Sequence, residues 1–182
     1  MRIFTPWEDE KPGFVEVDLV AHCGETTEGQ YLNTLTAIDI ATAWIEILGI
    51  SNKTQQAVFQ AIQILRQQLP FPLLGLDSDN GSEFINDILY RYCLTEQITF
   101  TRSRPYRKND QAHVEQKNWS VVRHTIGYDR LETTEELHLL KSIYEDLRLY
   151  ANFFQPVLKL IGKEHQDGKT IKKYDQIGRA HV

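Results

Sequence analysis

The hydrophobic and polar positions change their period along this chain, and the changes mark out its elements. Residues 14–21, Phe-Val-Glu-Val-Asp-Leu-Val-Ala, are rich in β-forming side chains and predict a strand. A turn from Gly24 to Gly29 separates it from a second strand pattern over 30–38, and a third follows over 43–50. Connections this short between successive strands predict an antiparallel meander. The period then changes. Between residues 54 and 69 the apolar residues Ala57, Val58, Ala61, Ile62 and Leu65 recur at helical spacing, and Pro70 and Pro72 end the run. Residues 73–76 form a short apolar run that reads as a buried strand.

A turn over 77–82 leads into a helix predicted from Ser82 to about Thr95, and a fifth short strand is predicted over 98–101. Residues 103–110 are polar, basic and contain Pro105, which predicts a loop. Residues 111–126 read as helical. Thr133-Thr134-Glu135-Glu136 is a helix start with acids in its first turn. Leu137, Leu140, Tyr144, Leu147 and Ala151 continue that helix to about Phe154, and Pro156 stops it. The order is β-β-β-α-β-α-β-α-α, with no internal repeat. It predicts an α/β fold: a mixed five-stranded sheet, three antiparallel strands and then alternating helix and strand, with helices on both faces.

Composition narrows the class. A chain of 182 residues, 41% hydrophobic and 25% charged, reads as about one globular domain with an ordinary core. No apolar run approaches the roughly 18–20 residues that span a bilayer. The N-terminus has no signal-peptide pattern, so the expectation is a cytoplasmic protein without a membrane partner. Cys23 and Cys93 belong to no zinc spacing and read as reduced thiols, one of them buried. The net charge of -5 argues at first against nucleic acid, but its distribution points the other way. Residues 1–101 carry 5 Lys/Arg against 14 Asp/Glu, while residues 102–182 carry 15 against 11. A basic second half is compatible with polyanion binding along one face.

Three acids stand out by position. Asp18 lies inside the first strand, where a charge is costly unless paired or metal-bound. Asp79 follows the fourth strand, and ligand sites in α/β sheets gather at strand ends. Glu115 lies on the helix after the basic loop, with 35 residues between it and Asp79. Asp77 is a rival ligand two residues from Asp79, and Asp-Asn-Gly is also ordinary turn chemistry. A solvated charge paired with a lysine is the bland reading of Glu115.

Asp-Asn-Gly-Ser-Glu-Phe at 79–84, followed by Glu115 at that spacing, resembles retroviral integrases and the bacterial insertion-sequence transposases that share their core. The stretch 108–118, Lys-Asn-Asp-Gln-Ala-His-Val-Glu-Gln-Lys-Asn, is similar to the glutamate helix of a bacterial transposase subgroup. The resemblance covers roughly residues 12–175. It implies a ribonuclease H-like fold and an integrase catalytic core over 14–155. It also implies phosphodiester cleavage and DNA strand transfer, with two Mg²⁺ (or Mn²⁺) ions held by Asp18, Asp79 and Glu115. Mg²⁺ prefers oxygen ligands and keeps several waters, so three carboxylates suffice for an open site. The implied partners are transposon-end and target DNA, with a homo-oligomer assembled on the DNA.

Other residues carry smaller expectations. Asn80 and Gly81 shape the turn, with Gly81 at positive φ. Arg104, Tyr106, Arg107, Lys108, Lys117 and Arg123 are expected at DNA, the cations at phosphate and Tyr106 stacked on an unpaired base. Trp119 is expected in the core, and Asp39 reads as structural. Residues 1–13 read as a lead-in without the upstream helix-turn-helix domain that such transposases carry. Residues 156–182 read as a basic tail. The last six residues, 177–182, match the translation of a sequencing-adaptor stretch and are expected to be adaptor-derived. The rival readings are a ribonuclease H-like nuclease that joins no strands and a non-catalytic DNA-binding remnant of a transposase.

Overall fold

The computed structural model describes residues 2–3, 11–104, 111–166 and 169–177. Its centre is a mixed sheet. The strands are β1 (Arg2–Ile3), β2 (Phe14–Ala21), β3 (Asn33–Asp39), β4 (Ile45–Ile50), β5 (Gly75–Ser78) and β6 (Thr99–Arg102). Their spatial order is β1-β6-β5-β2-β3-β4. The predicted meander is present, since β2, β3 and β4 pair antiparallel in sequence order. β5 and β6 then add parallel on the other side of β2. The five predicted strands are joined by the two-residue β1, parallel to β6 at the edge, in a stretch read from the sequence as lead-in.

The helices are α1 (Gln55–Gln68), α2 (Asp87–Thr95), α3 (Ala112–Lys117), α4 (His124–Ile126) and α5 (Thr134–Leu149). Alternation along β2 sorts them to the two faces. Val15 and Val17 pack with Leu35, Val58, Ile62, Leu65 and Leu89, so α1 and α2 cover one face. Val20 packs with Ile45, Ile47, Val121, Val122, Leu140 and Tyr144, so the chain after α3 and α5 cover the other. Glu16 and Asp18 have the parity of Val20 and belong to that second face.

Several boundaries differ from those predicted, each for a local reason. β4 starts at Ile45 because Ala43 turns the chain with a φ of 56°. β5 is displaced two residues onward, to Gly75–Ser78, because Leu74 and Gly75 donate their N–H groups to Gly13 at the start of the ladder. α2 begins at Asp87 and not at Ser82. The Asn86 side chain caps it by accepting the Leu89 N–H (3.0 Å), while 82–85 stay in turns. The predicted helix over 111–126 is α3, then a π-helical stretch at Asn118–Arg123, then α4. The basic tail forms an antiparallel ribbon, β7 (Val157–Gln166) with β8 (Lys169–Ile177), in a sheet of its own. Residues 178–182 of the expected adaptor-derived end lie outside the described residues.

Asp39 is structural, as expected. Its Oδ1 accepts the Gly13 N–H (2.7 Å), and its Oδ2 accepts the Thr42 N–H and hydroxyl (2.8 and 2.7 Å). Both cysteines are free thiols, and burial pushes that of Cys93 up to about 12. Among the described residues no helix is long and apolar enough to cross a membrane.

Candidate active site

β2 and β5 are parallel neighbours, and their register decides what meets at their carboxyl ends. Glu16 pairs with Asp77 and Val17 with Ser78, so the ladder ends just as both chains deliver an aspartate. Asp18 is the next residue of β2, and Asp79 the first residue past β5. Strands in a ladder lie roughly 5 Å apart, so the two carboxylates emerge side by side. The third acid arrives from above the sheet. α3 lies across β2 and β3, and Glu115 is exposed in its first turn.

The electrostatics of Asp18 record the company it keeps. Burial first, and then the negative charges of Asp79 and Glu115, push its carboxyl up to about 6. Hydrogen bonds from the Leu19 N–H to Oδ1 (2.8 Å) and from Asn118 Nδ2 to Oδ2 (2.7 Å) pull it back down. Asp79 from a post-strand turn and Glu115 from a helix therefore both act on the strand carboxylate of Asp18. Among the described residues, however, no three acidic, His or Cys groups are drawn close enough to enclose a metal ion. One Asp18 oxygen is held by Asn118, and Asp79 Oδ1 accepts the Gly81 N–H (2.9 Å). The donor set is all carboxylate oxygen, which suits a hard divalent cation and not zinc.

Asp77, the rival ligand, is 2% exposed, and its Oδ1 accepts the Thr101 hydroxyl of the neighbouring strand. That places it inside the sheet. Asn80 donates from Nδ2 to the Ser103 carbonyl (3.1 Å), tying the turn to the end of β6. Gly81 does not have the positive φ expected of it. It closes the turn through hydrogen bonds: its N–H goes to Asp79, and its carbonyl accepts the Phe84 and Ile85 N–H groups. A Cβ there would lie 2.6–2.9 Å from the Glu83 carboxyl group, which can swing away.

The expected DNA contacts divide. Tyr106, Arg107 and Lys108 lie outside the described residues. Arg104 is exposed at the end of the described stretch after β6, and Lys117 is half-buried on α3. The Arg123 guanidinium is engaged inside the protein. It donates to the Ala21 carbonyl (2.8 Å) and the Gly127 carbonyl (3.1 Å) and lies 4.7 Å from the centre of the Tyr128 ring. Trp119, expected in the core, is 57% exposed and sits against His124 with ring centroids 4.1 Å apart. The π-helical stretch begins one residue before it, so the phase of α3 does not continue through Trp119.

Two residues of the site escaped the sequence reading. Asn118 reaches Asp18, and Glu16 reaches α3. Asn118 is three residues beyond Glu115, a spacing that puts both on one helical face, and that was the available signal. Glu16 had the parity of Asp18 along its strand, but the sequence does not say which helix covers that face.

Comparison with known proteins bears on this arrangement. The family model described as the integrase core domain matches residues 8–108. The chain is 42% identical over 174 residues to the uncharacterized protein y4rM of Sinorhizobium fredii (strain NBRC 101917 / NGR234). That match takes in 96% of this chain and 50% of the relative, so the chain spans about half the relative's length. The fold is similar to the crystal structure of the catalytic core domain of BIV integrase, with a TM-score of 0.60. Identity there is 19%, over 79% of this chain and 85% of that one, a likeness of fold.

Proposed function

We propose that this chain, which belongs to the integrase core domain family, is the catalytic core of a DNA transposase that cleaves and joins phosphodiester strands. Its ribonuclease H-like core carries Asp18 on β2, Asp79 just past β5 and Glu115 on α3 as the ligands of two divalent cations, Mg²⁺ or Mn²⁺. The single observation that carries the reading is the placement of Asp18 beside Asp79 and Glu115, where burial first and then their charges raise its carboxyl to about 6. A half-buried carboxylate held beside two further acids is costly in the absence of cations, and a bound cation offsets that cost.

When bound, such ions activate the attacking oxygen and neutralise charge on the leaving one. Asp18, whose carboxyl feels the charge of both other acids, would hold the ions together with Asp79 and Glu115. Asn118 Nδ2 orients the Asp18 carboxylate, and Asn80 holds the Asp79 turn against the end of β6. The nucleophile is water for end cleavage and the freed 3′-hydroxyl for joining. Arg104, the neighbouring basic residues 107 and 108, and Lys117 supply phosphate contacts that give affinity without sequence information. Two ends must be synapsed for joining, so a dimer or tetramer on DNA belongs to the same proposal.

The test is a Mn²⁺-supported assay on a labelled duplex that carries transposon-end sequence, with a supercoiled target plasmid. The wild-type chain is expected to give cleaved and joined products. Asp18→Asn, Asp79→Asn and Glu115→Gln are expected to lose at least about a hundredfold in rate, as removal of one charge-stabilising group does elsewhere. Cleavage without joining would shift the reading to hydrolysis alone. Activity retained by all three variants would refute the metal site.

A further inference from the structure

The strand that carries Asp18 carries a second carboxylate on the same face, and that carboxylate is spent on the helix of Glu115. Glu16 is 4% exposed. Its Oε2 accepts the backbone N–H of Val114 (3.0 Å), and its Oε1 lies 3.4 Å from His113 Nδ1. Val114 is the third residue of α3, so its N–H is one of the donors that a helix start leaves without an intrahelical partner. Gln111 occupies the N-cap position and makes no side-chain cap hydrogen bond there. Its Nε2 instead approaches the Val17 carbonyl of β2 (3.4 Å). The helix is thus capped from 98 residues away, by the strand beneath it, and not by its own sequence.

A local Ser, Thr or Asp would cap α3 equally well and would bury no carboxylate. What the remote carboxylate adds is register between two elements. It ties the residue just before Glu115 to the residue two before Asp18. We propose that Glu16 is a positioning residue that sets the approach of Glu115 to Asp18, an inference that rests on reading those two acids as ligands of one metal site. Glu16 is not a fourth ligand of the site, because its oxygens face Val114 and His113.

The test uses the full chain, with Glu16→Leu and Glu16→Gln, each alone and combined with Glu115→Gln. Amide hydrogen exchange over 112–117 reads the docking of α3, and Mn²⁺ titration reads the site. Glu16→Leu is expected to speed exchange in α3 and to weaken Mn²⁺ binding by about tenfold or more, while β2 keeps its protection. Glu16→Gln retains an oxygen for the Val114 N–H and is expected to recover most of both losses. In the Glu115→Gln background, Glu16→Leu is expected to cost no further Mn²⁺ affinity, since its effect runs through Glu115.

A full additional loss in that background would overturn the proposal, as would unchanged α3 exchange in Glu16→Leu. A Gln variant as impaired as the Leu variant would overturn it too. If the wild type binds no Mn²⁺, the metal reading itself fails, and exchange alone decides: lost α3 protection upholds the docking role, and retained protection refutes it.

Discussion

Asp18 gives up stability for its position. It is half-buried on β2, and its carboxyl is raised from an ordinary 3.8 to about 6 by burial and by its two acidic neighbours. A raised folded-state pKa means that the native protein holds this proton more tightly than the unfolded chain does. At neutral pH the ionised form is therefore a native-state cost of at most about 3 kcal/mol. Asp18→Asn removes the charge and keeps an oxygen for the Leu19 N–H. The variant is expected to unfold at higher denaturant concentration than wild type at pH 7.5 while losing strand cleavage. Its stability advantage is expected to shrink as the pH falls through 6 and to vanish near 4. Denaturant titrations of the two proteins at several pH values check this, and a wild type more stable than the variant at pH 7.5 would sink it. Asp18 was legible from sequence because it is an acid among β-formers that also completes the pattern of Asp79 and Glu115. Glu16 is an acid among the same β-formers and more buried, yet it lies outside that pattern. Its meaning depends on which helix lies above β2, and spacing within one strand does not contain that.

At the scale of elements, what local chemistry writes was readable and what packing decides was not. α5 was announced by Thr133-Thr134-Glu135-Glu136, and its start is a complete capping box. Thr133 Oγ1 accepts the Glu136 N–H (3.1 Å), and Glu136 accepts the Thr133 N–H (2.8 Å). Thr133→Ala removes the first of these and is expected to lower stability by about 1 kcal/mol in denaturant unfolding. No loss would mean that α5 is held by Leu140 and Tyr144 in the core and not by its cap. The start of α2 was misjudged because an asparagine at 86 caps as well as a serine at 82, and only the turn after Asp79 selects between them. The π-helical stretch after α3 was invisible for a further reason. Residues 118–123, Asn-Trp-Ser-Val-Val-Arg, hold no Gly or Pro to mark a break, and along the wider turn Asn118 reaches Asp18 while Val121 and Val122 enter the core. Trp119, expected in the core, lies exposed within it.

At the scale of the molecule, the strand sequence predicted the sheet, but the register that brings Asp18 beside Asp79 belongs to the parallel β2–β5 ladder. The same packing buries a base that opposes Asp18 in the pH dependence of the whole fold. His22 is 0% exposed, with Nε2 2.7 Å from the Thr34 hydroxyl, which in turn meets the Tyr144 hydroxyl at 2.6 Å. Burial, and then the charge of Arg123, lowers its pKa from 6.5 to about 4. The unfolded chain therefore takes up this proton below 6.5 while the native protein refuses it until about 4, so stability is lost as the pH falls. Asp18 runs the other way over nearly the same window. Between pH 7 and 5, His22 costs about 2 kcal/mol, and protonation of Asp18 returns about 1 kcal/mol. Wild type is thus expected to show a shallow loss from this pair and Asp18→Asn a steeper one. Adding His22→Gln to Asp18→Asn is expected to flatten the profile again. Unfolding free energies of the three proteins at pH 7, 6 and 5 decide the matter. A wild-type slope equal to that of Asp18→Asn would mean that Asp18 does not titrate in this window, and its raised carboxyl would lose its support.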